Sequence, residues 1–185
     1  MRIDLKKGSV ECLVGDITDQ ADVEAVVNAA NAQLMPGGGV AGAIHRRAGP
    51  ELAEACRPLA PIAPGQAVLT PGFGMPNAHI IHCLGPVYGV DTPSAELLAQ
   101  CYRAAIELAD ARGIASIAFP AISTGAFGYP VDEAAPVACE AAIRALADSR
   151  KVRLVRHVLA DRAACELYES ESRAAAGNVF TGPAS

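Results

Sequence analysis

Three clusters in this chain combine the residue types that hold a polar ligand. The first is Gly15-Asp16-Ile17-Thr18, directly after the apolar run that ends at Val14. A carboxylate at the carboxyl end of a strand stands where α/β sheets bind ligands. As an acceptor, Asp16 suits the exocyclic amine of a base. The same residue types cap helices, because a short side-chain oxygen accepts a hydrogen bond from an orphan backbone N–H. Asp16 or Thr18 would serve there equally well, so both readings stand. The second cluster is Val26-Val27-Asn28-Ala29-Ala30-Asn31, followed by Gly37-Gly38-Gly39-Val40. Bare glycines let backbone N–H groups approach an anion, and a helix N-terminus adds positive potential. Asn31, both donor and acceptor, suits a ribose hydroxyl or a polarised water. The third cluster, Pro120-Ala121-Ile122-Ser123-Thr124-Gly125-Ala126-Phe127-Gly128-Tyr129-Pro130, is a small-residue loop entering a helix, again the pattern of a phosphate cradle. It holds Phe127 and Tyr129 in a loop, where burial alone does not ask for aromatics. Ordinary glycine-rich turns are the bland alternative, and the coincidence of two such loops weighs against it. Together they suggest a diphosphate held between them with a sugar on either side. Neither is a P-loop, since no Gly-Lys-Ser/Thr follows, and the dinucleotide spacing is absent.

The elements that must carry these clusters are legible from periodicity. Strand-like segments are Arg2–Leu5, Ser9–Val14, Ala25–Asn28, Gln66–Thr70, His79–Cys83, Ser116–Pro120 and Arg153–Leu159. Several are unbroken apolar runs, as in strands covered on both faces. The clearest helix is Ala95–Arg112, where Leu98, Cys101, Tyr102, Ala105, Ile106 and Ala109 recur at spacings of three and four before Gly113. Val131–Asp148 repeats the pattern, and Val40–Ala48, Pro50–Leu59 and Arg162–Ser172 are weaker helices. Strands alternating with helices imply an α/β/α three-layer domain. Because the first two strands are only a few residues apart, they should pair antiparallel and make a mixed, mostly parallel sheet. The expected organisation is one domain over residues 1–172 and an irregular tail over 173–185, where periodicity is lost.

Composition removes several function classes. A chain of 185 residues is one domain by the usual size of about 150 residues. Hydrophobic residues at 51% and charged residues at 19% exclude a disordered chain. Lys+Arg 15 against Asp+Glu 20 gives −5, and neither Lys6-Lys7 nor Arg46-Arg47 makes a basic patch. A nucleic-acid partner held through phosphates is therefore disfavoured. Four Tyr, four Phe and no Trp also disfavour a single-strand binder built on stacking. The segment MRIDLKKGSV has no apolar h-region, and the uncharged stretch Gly113–Val131 contains Pro120, Gly125, Gly128 and Pro130. A soluble cytoplasmic protein without a membrane partner is expected. Six scattered cysteines without a C-x-x-C pair fit reduced thiols in a cytosol. His79 and His82 point to opposite faces of one strand, so no metal is expected. His45 could face a ligand or simply hold its helix in place. Ser123 lacks a G-x-S-x-G elbow and a triad order.

Five ordered motifs resemble the macrodomain family, most closely its MacroD-type branch: GDIT at 15–18, VVNAAN at 26–31, GGGVAGAIHRRAGP at 37–50, HCLGPVY at 82–88 and FPAISTGAFGYP at 119–130. The resemblance runs from about Ile3 to Tyr168. It implies a three-layer α/β/α domain that binds ADP-ribose in a cleft at the strand ends, with no cofactor. By that resemblance Asp16 binds the adenine amine and Ile17 helps line the base site. Asn31 faces the distal ribose, while Gly38, Gly39 and Val40 line the ribose–phosphate path. Ser123, Thr124, Gly125, Ala126 and Phe127 embrace the diphosphate, with Phe127 packing on the distal ribose. The branch hydrolyses O-acetyl-ADP-ribose and removes mono-ADP-ribose from acidic side chains of proteins, so those are the implied partners. Two positions depart from the pattern. Active members usually carry an aspartate proposed to activate water where this chain has Ala41, and a methyl group cannot act as a base. Other branches lack that aspartate too, and there a water placed by Asn31 and the ligand's own phosphate is a substitute. An aromatic that usually stacks on adenine is replaced by Ala160, a loss of about 1–3 kcal/mol; Leu159 or Phe180 are the candidates to compensate. The implied activity is ester hydrolysis, and the alternative is a reader with little turnover.

Overall fold

The computed structural model of the chain describes residues 1–180; residues 181–185 of the expected tail lie outside the described residues. Apolar runs form seven strands: β1 (Arg2–Asp4), β2 (Ser9–Val14), β3 (Ala25–Ala29), β4 (Ala67–Pro71), β5 (His79–Cys83), β6 (Ser116–Phe119) and β7 (Leu154–Leu159). They lie in the order β1-β2-β7-β6-β3-β5-β4. The five inner strands are parallel, and β1 and β4 pair antiparallel at the two edges. This is the mixed, mostly parallel sheet that the spacing predicts. Its period-two alternation separates two cores. Val10, Val27, Ile81, Phe119 and Val155 face helices α3 (Ser94–Ala111), α4 (Val131–Asp148) and α5 (Arg162–Phe180). Val26, Ile80, Ala118 and Val158 face α1 (Gly39–Ala48) and α2 (Pro50–Cys56). The result is an α/β/α sandwich with each strand of the centre buried on both sides.

Two expectations about helix ends are corrected. The tail is not irregular from residue 173: α5 continues through Phe180. Ala174, Ala175 and Ala176 are strong helix formers, and Ala175 is buried while Ala176 and Val179 pack against the core, so tertiary burial extends the helix. Ser172, the expected domain end, is itself buried and donates its hydroxyl to Cys139 Sγ. The segment Pro50–Leu59 is split into α2 and a 3₁₀ turn at Arg57–Leu59, because Pro58 has no N–H to continue the helix. All six cysteines are free and buried. Among the described residues no helix is long and apolar enough to cross a membrane.

Candidate functional site

Because β3 and β6 are parallel neighbours, the loops leaving their carboxyl ends open side by side. Their separation forms a cleft of about 320 Å³. Asn31, Gly38, Gly39, Val40 and Ala41 line one wall, and Ser123, Gly125, Ala126 and Phe127 line the other; Gly85 and Ile122 also border it. The two glycine-rich clusters thus meet, although more than 80 residues of chain separate them.

The first wall is a helix N-terminus. Gly38 caps α1 without a side-chain hydrogen bond, and no acidic residue lies in the first turn. Its first amides are therefore unspent donors beside the cleft. A Cβ added at Gly38, Gly39 or Gly125 would meet no protein atom within 4 Å. Crowding does not explain those bare positions, and they leave the backbone open to the cleft. Gly39 additionally takes φ +55, a conformation other residues avoid.

The second wall is a loop rather than a helix end. Tyr129 N donates to Ser123 O at 3.0 Å and Gly128 N to Gly125 O at 3.0 Å. Thr124 stands outside the cleft lining and closes the turn through its hydroxyl, which donates to Ala121 O at 2.8 Å. The N-terminus of α4 carries Asp132 and Glu133, so its dipole is already offset and the anion-holding capacity rests with the loop amides. Ser123 is buried with φ +67, and its Oγ has no hydrogen-bond partner among the described residues. Strain and an unpaired polar group in one residue cost about 1–3 kcal/mol each. Of the two loop aromatics, Phe127 is partly exposed in the cleft, but Tyr129 is buried with its ring 4.7 Å from that of Tyr88. Tyr129 is a core residue after all, because the loop folds it under.

Asn31 is held by its own loop: Nδ2 donates to Met35 O at 2.8 Å, and Oδ1 accepts from Met35 N at 3.1 Å. The amide still keeps a second N–H and a second lone pair for a ligand. Ala41 lies nearby on the first turn of α1, its methyl nearly buried at 6% exposed.

Asp16 lies outside the cleft lining, on the exposed rim at the end of β2. No helix starts there. The helix-cap reading is therefore corrected: Oδ1 accepts from Thr18 N at 2.8 Å and Thr18 Oγ1 at 2.7 Å, closing a turn instead of a helix. The Thr18 backbone N–H and hydroxyl hold its pKa below the ordinary carboxylate value, and Arg47 adds to this. The carboxylate is ionised, and Oδ2 makes no hydrogen bond among the described residues. Ile17 is buried in the core beneath α1, anchoring the turn. At the neighbouring rim Ala160 is exposed, Leu159 is buried, and Val14 is 47% exposed opposite Leu159 in the ladder. The side chain of Phe180 lies outside the described residues.

His45 is buried, has no partner for Nε2 among the described residues, and lines a separate pocket behind Gly37 with Arg46. His82 is a core residue, contacting Asn28 Nδ2 through Nδ1 at 3.0 Å and Thr70 Oγ1 through Nε2 at 2.9 Å. No cluster of metal-ligating residues occurs among the described residues. Gly85 is the cleft residue that sequence reasoning missed. A Cβ there would stand 2.1 Å from Ser123 Oγ and 2.6 Å from Ile122 Cγ2, a tertiary requirement; Gly85 stands inside the HCLGPVY motif without being assigned to the site by it.

A three-layer α/β/α sandwich with paired amide-rich loops at its strand ends defines a nucleotide-type binding domain. The chain belongs to the macro domain family, whose model matches residues 27–138. A macro domain-containing protein of Chlorobaculum tepidum is 48% identical over 147 residues, 79% of this chain and 85% of its own. A Salmonella gallinarum protein named O-acetyl-ADP-ribose deacetylase is 44% identical over 168 residues, 88% of this chain and 89% of its own. Among solved structures, the Oceanobacillus iheyensis macrodomain with ADP superposes with TM-score 0.89 at 39% identity, covering 94% of this chain and 95% of that one. The Trypanosoma brucei macrodomain in complex with ADP-ribose gives 0.80 at 32% identity, covering 89% and 68%.

Proposed function

We propose that the cleft binds ADP-ribose and that the protein hydrolyses ADP-ribosyl esters, both O-acetyl-ADP-ribose and mono-ADP-ribose on acidic side chains. The observation that carries this is the pairing of two walls of free backbone amides around a space that no side chain fills. The diphosphate lies between the α1 N-terminus and the 123–127 loop, which supply N–H donors to its charge. Asp16 takes the adenine amine, and Asn31 with Phe127 faces the distal ribose. Those assignments are supported by the macro domain membership and by relatives solved with ADP and ADP-ribose. Ala41 offers no base, so water is deprotonated by a phosphate oxygen of the ligand and oriented by Asn31. It attacks the ester carbonyl, the bond from the acyl carbon to the ribose oxygen breaks, and the proton held by the phosphate passes to that oxygen, so the carboxylic acid and ADP-ribose leave. The six buried free thiols accord with a reducing, cytoplasmic compartment.

Ala41 also favours a second reading, a reader of ADP-ribose with little turnover. Calorimetry with ADP-ribose tests the binding, and no heat would remove the functional reading altogether. Incubation with glutamate-linked mono-ADP-ribose and with O-acetyl-ADP-ribose tests the activity. Product above the buffer control is expected; binding without product decides for the reader.

A further inference from the structure

The connection from β2 to β3 bears Asp16 yet contains no helix to stiffen it. Among the bonds that order it, one buried amide links the turn to the sheet. Gln20 Nε2 donates to the backbone O of Asp16 at 2.8 Å, and Gln20 Oε1 accepts from Arg156 Nη1 at 3.0 Å. The backbone O of Gln20 accepts from Asn77 Nδ2 at 2.8 Å. Arg156, itself buried on β7, also holds both carboxylate oxygens of Asp22, at 2.6 and 2.7 Å, and Glu11 at 2.8 Å. The Asp16 residue is therefore held at both ends: its carbonyl by Gln20 Nε2 at 2.8 Å and by the Asp19 backbone N–H at 3.1 Å, its Oδ1 by Thr18. Only Oδ2 is left to meet an outside donor, and its direction follows from the carbonyl anchor.

We propose that Gln20, braced by Arg156, is a positioning residue that aims Asp16 and thereby makes the site select a base with an exocyclic amine over its 6-oxo counterpart. This inference rests on the ADP-ribose reading above. A hydrogen bond to a carboxylate is lost, and an unpaired carboxylate is faced with a carbonyl, when the amine is replaced by oxygen. Binding is measured for ADP-ribose and for its hypoxanthine analogue, inosine diphosphate ribose, in the native protein and in Gln20→Met and Gln20→Glu. Gln20→Glu loses the donor to Asp16 O but keeps an acceptor for Arg156, so it guards against a folding defect in Gln20→Met. The native protein is expected to prefer ADP-ribose by about tenfold or more, a hydrogen bond to a charged group. Both variants should fall to a preference of about threefold or less, with binding of the inosine compound nearly unchanged. An equal loss for both ligands would mean that Gln20 is merely structural and would overturn the proposal. So would a native protein indifferent to the amine. Failure of the native protein to bind either ligand is a separate result, which removes the ADP-ribose reading itself.

Discussion

At position 41 a nearly buried methyl lines the cleft on the same wall as Asn31 and the free amides of α1. The wall offers donors yet has no side-chain acceptor for a proton at that position. Ala41→Asp would add one, and general-base catalysis contributes about 10²–10⁴-fold. The expected outcome is a rise in kcat on O-acetyl-ADP-ribose of at least tenfold, with ADP-ribose affinity altered far less; steady-state kinetics beside calorimetry give both. No gain would discredit the account of Ala41 as the rate-limiting deficit. Gly85 gives the opposite kind of test. The 2.1 Å approach of its Cβ position to Ser123 Oγ leaves Gly85→Ala no room, and Ser123 is already at a strained φ. Overpacking of this kind costs about 1–3 kcal/mol. Since the strain relaxes into the cleft wall, ADP-ribose binding should weaken at least tenfold. Denaturant titration and calorimetry check the pair, and a variant with native values in both would show that the loop yields freely.

Elements were legible wherever burial follows the chain's own period. The face of α3 formed by Leu98, Cys101, Tyr102, Ala105, Ile106 and Ala109 is buried as its spacing predicts, and the antiparallel β1–β2 pair follows from its short connection. What escaped was decided by partners distant in sequence. The last turns of α5 are held by the core under Ala175, and the Asp16 turn is held by an arginine 140 residues away. The site divides in the same way: the glycine loops announced themselves, whereas the places of Gly85 against Ser123 and of Gln20 beneath Asp16 are set by contacts distant in sequence or in a turn. The link between α4 and β7 belongs with these. Asp110, at the end of α3, accepts from Ser149 Oγ and from the backbone N–H groups of Arg150, Lys151 and Val152. These bonds, the Ser149 hydroxyl foremost, lower its pKa from 3.8 to about 2. A carboxylate depressed in the folded state stabilises above its unfolded pKa, and that contribution is lost as pH falls from about 4 through 2. Asp110→Asn should therefore be less stable than the native protein at pH 7, with the gap closing below pH 4. Melting temperatures recorded across that range check it, and a constant gap would mean the carboxylate's charge contributes nothing.

The whole molecule carries a neutral histidine in each of its two cores. On one face His82 is held by Asn28 and Thr70; on the other His157 lies among the rings of Tyr102, Phe119 and Tyr168, at centroid distances of 5.2–6.2 Å, and neither of its nitrogens has a partner among the described residues. Burial lowers the pKa of His82 from 6.5 to about 3 and that of His157 from 6.5 to about 4. For a base depressed by folding, the unfolded chain takes up the proton first. The stabilisation is full above pH 6.5 and is lost as pH falls, down to about 4 for His157 and about 3 for His82. Each group contributes a slope of at most about 1.4 kcal/mol per pH unit, so the pair should dominate acid unfolding well before Asp110 titrates. Urea unfolding at steps from pH 7.5 to 4.5 should show at least about two protons taken up per molecule near pH 5, those of His82 and His157, with His45, which burial also lowers, adding to them. His157→Leu removes one of them and a buried ring with unpaired nitrogens, so it should reduce the uptake by about one proton and leave stability at pH 7 equal or higher. A slope unchanged in that variant would mean that His157 already carries its proton in the folded core.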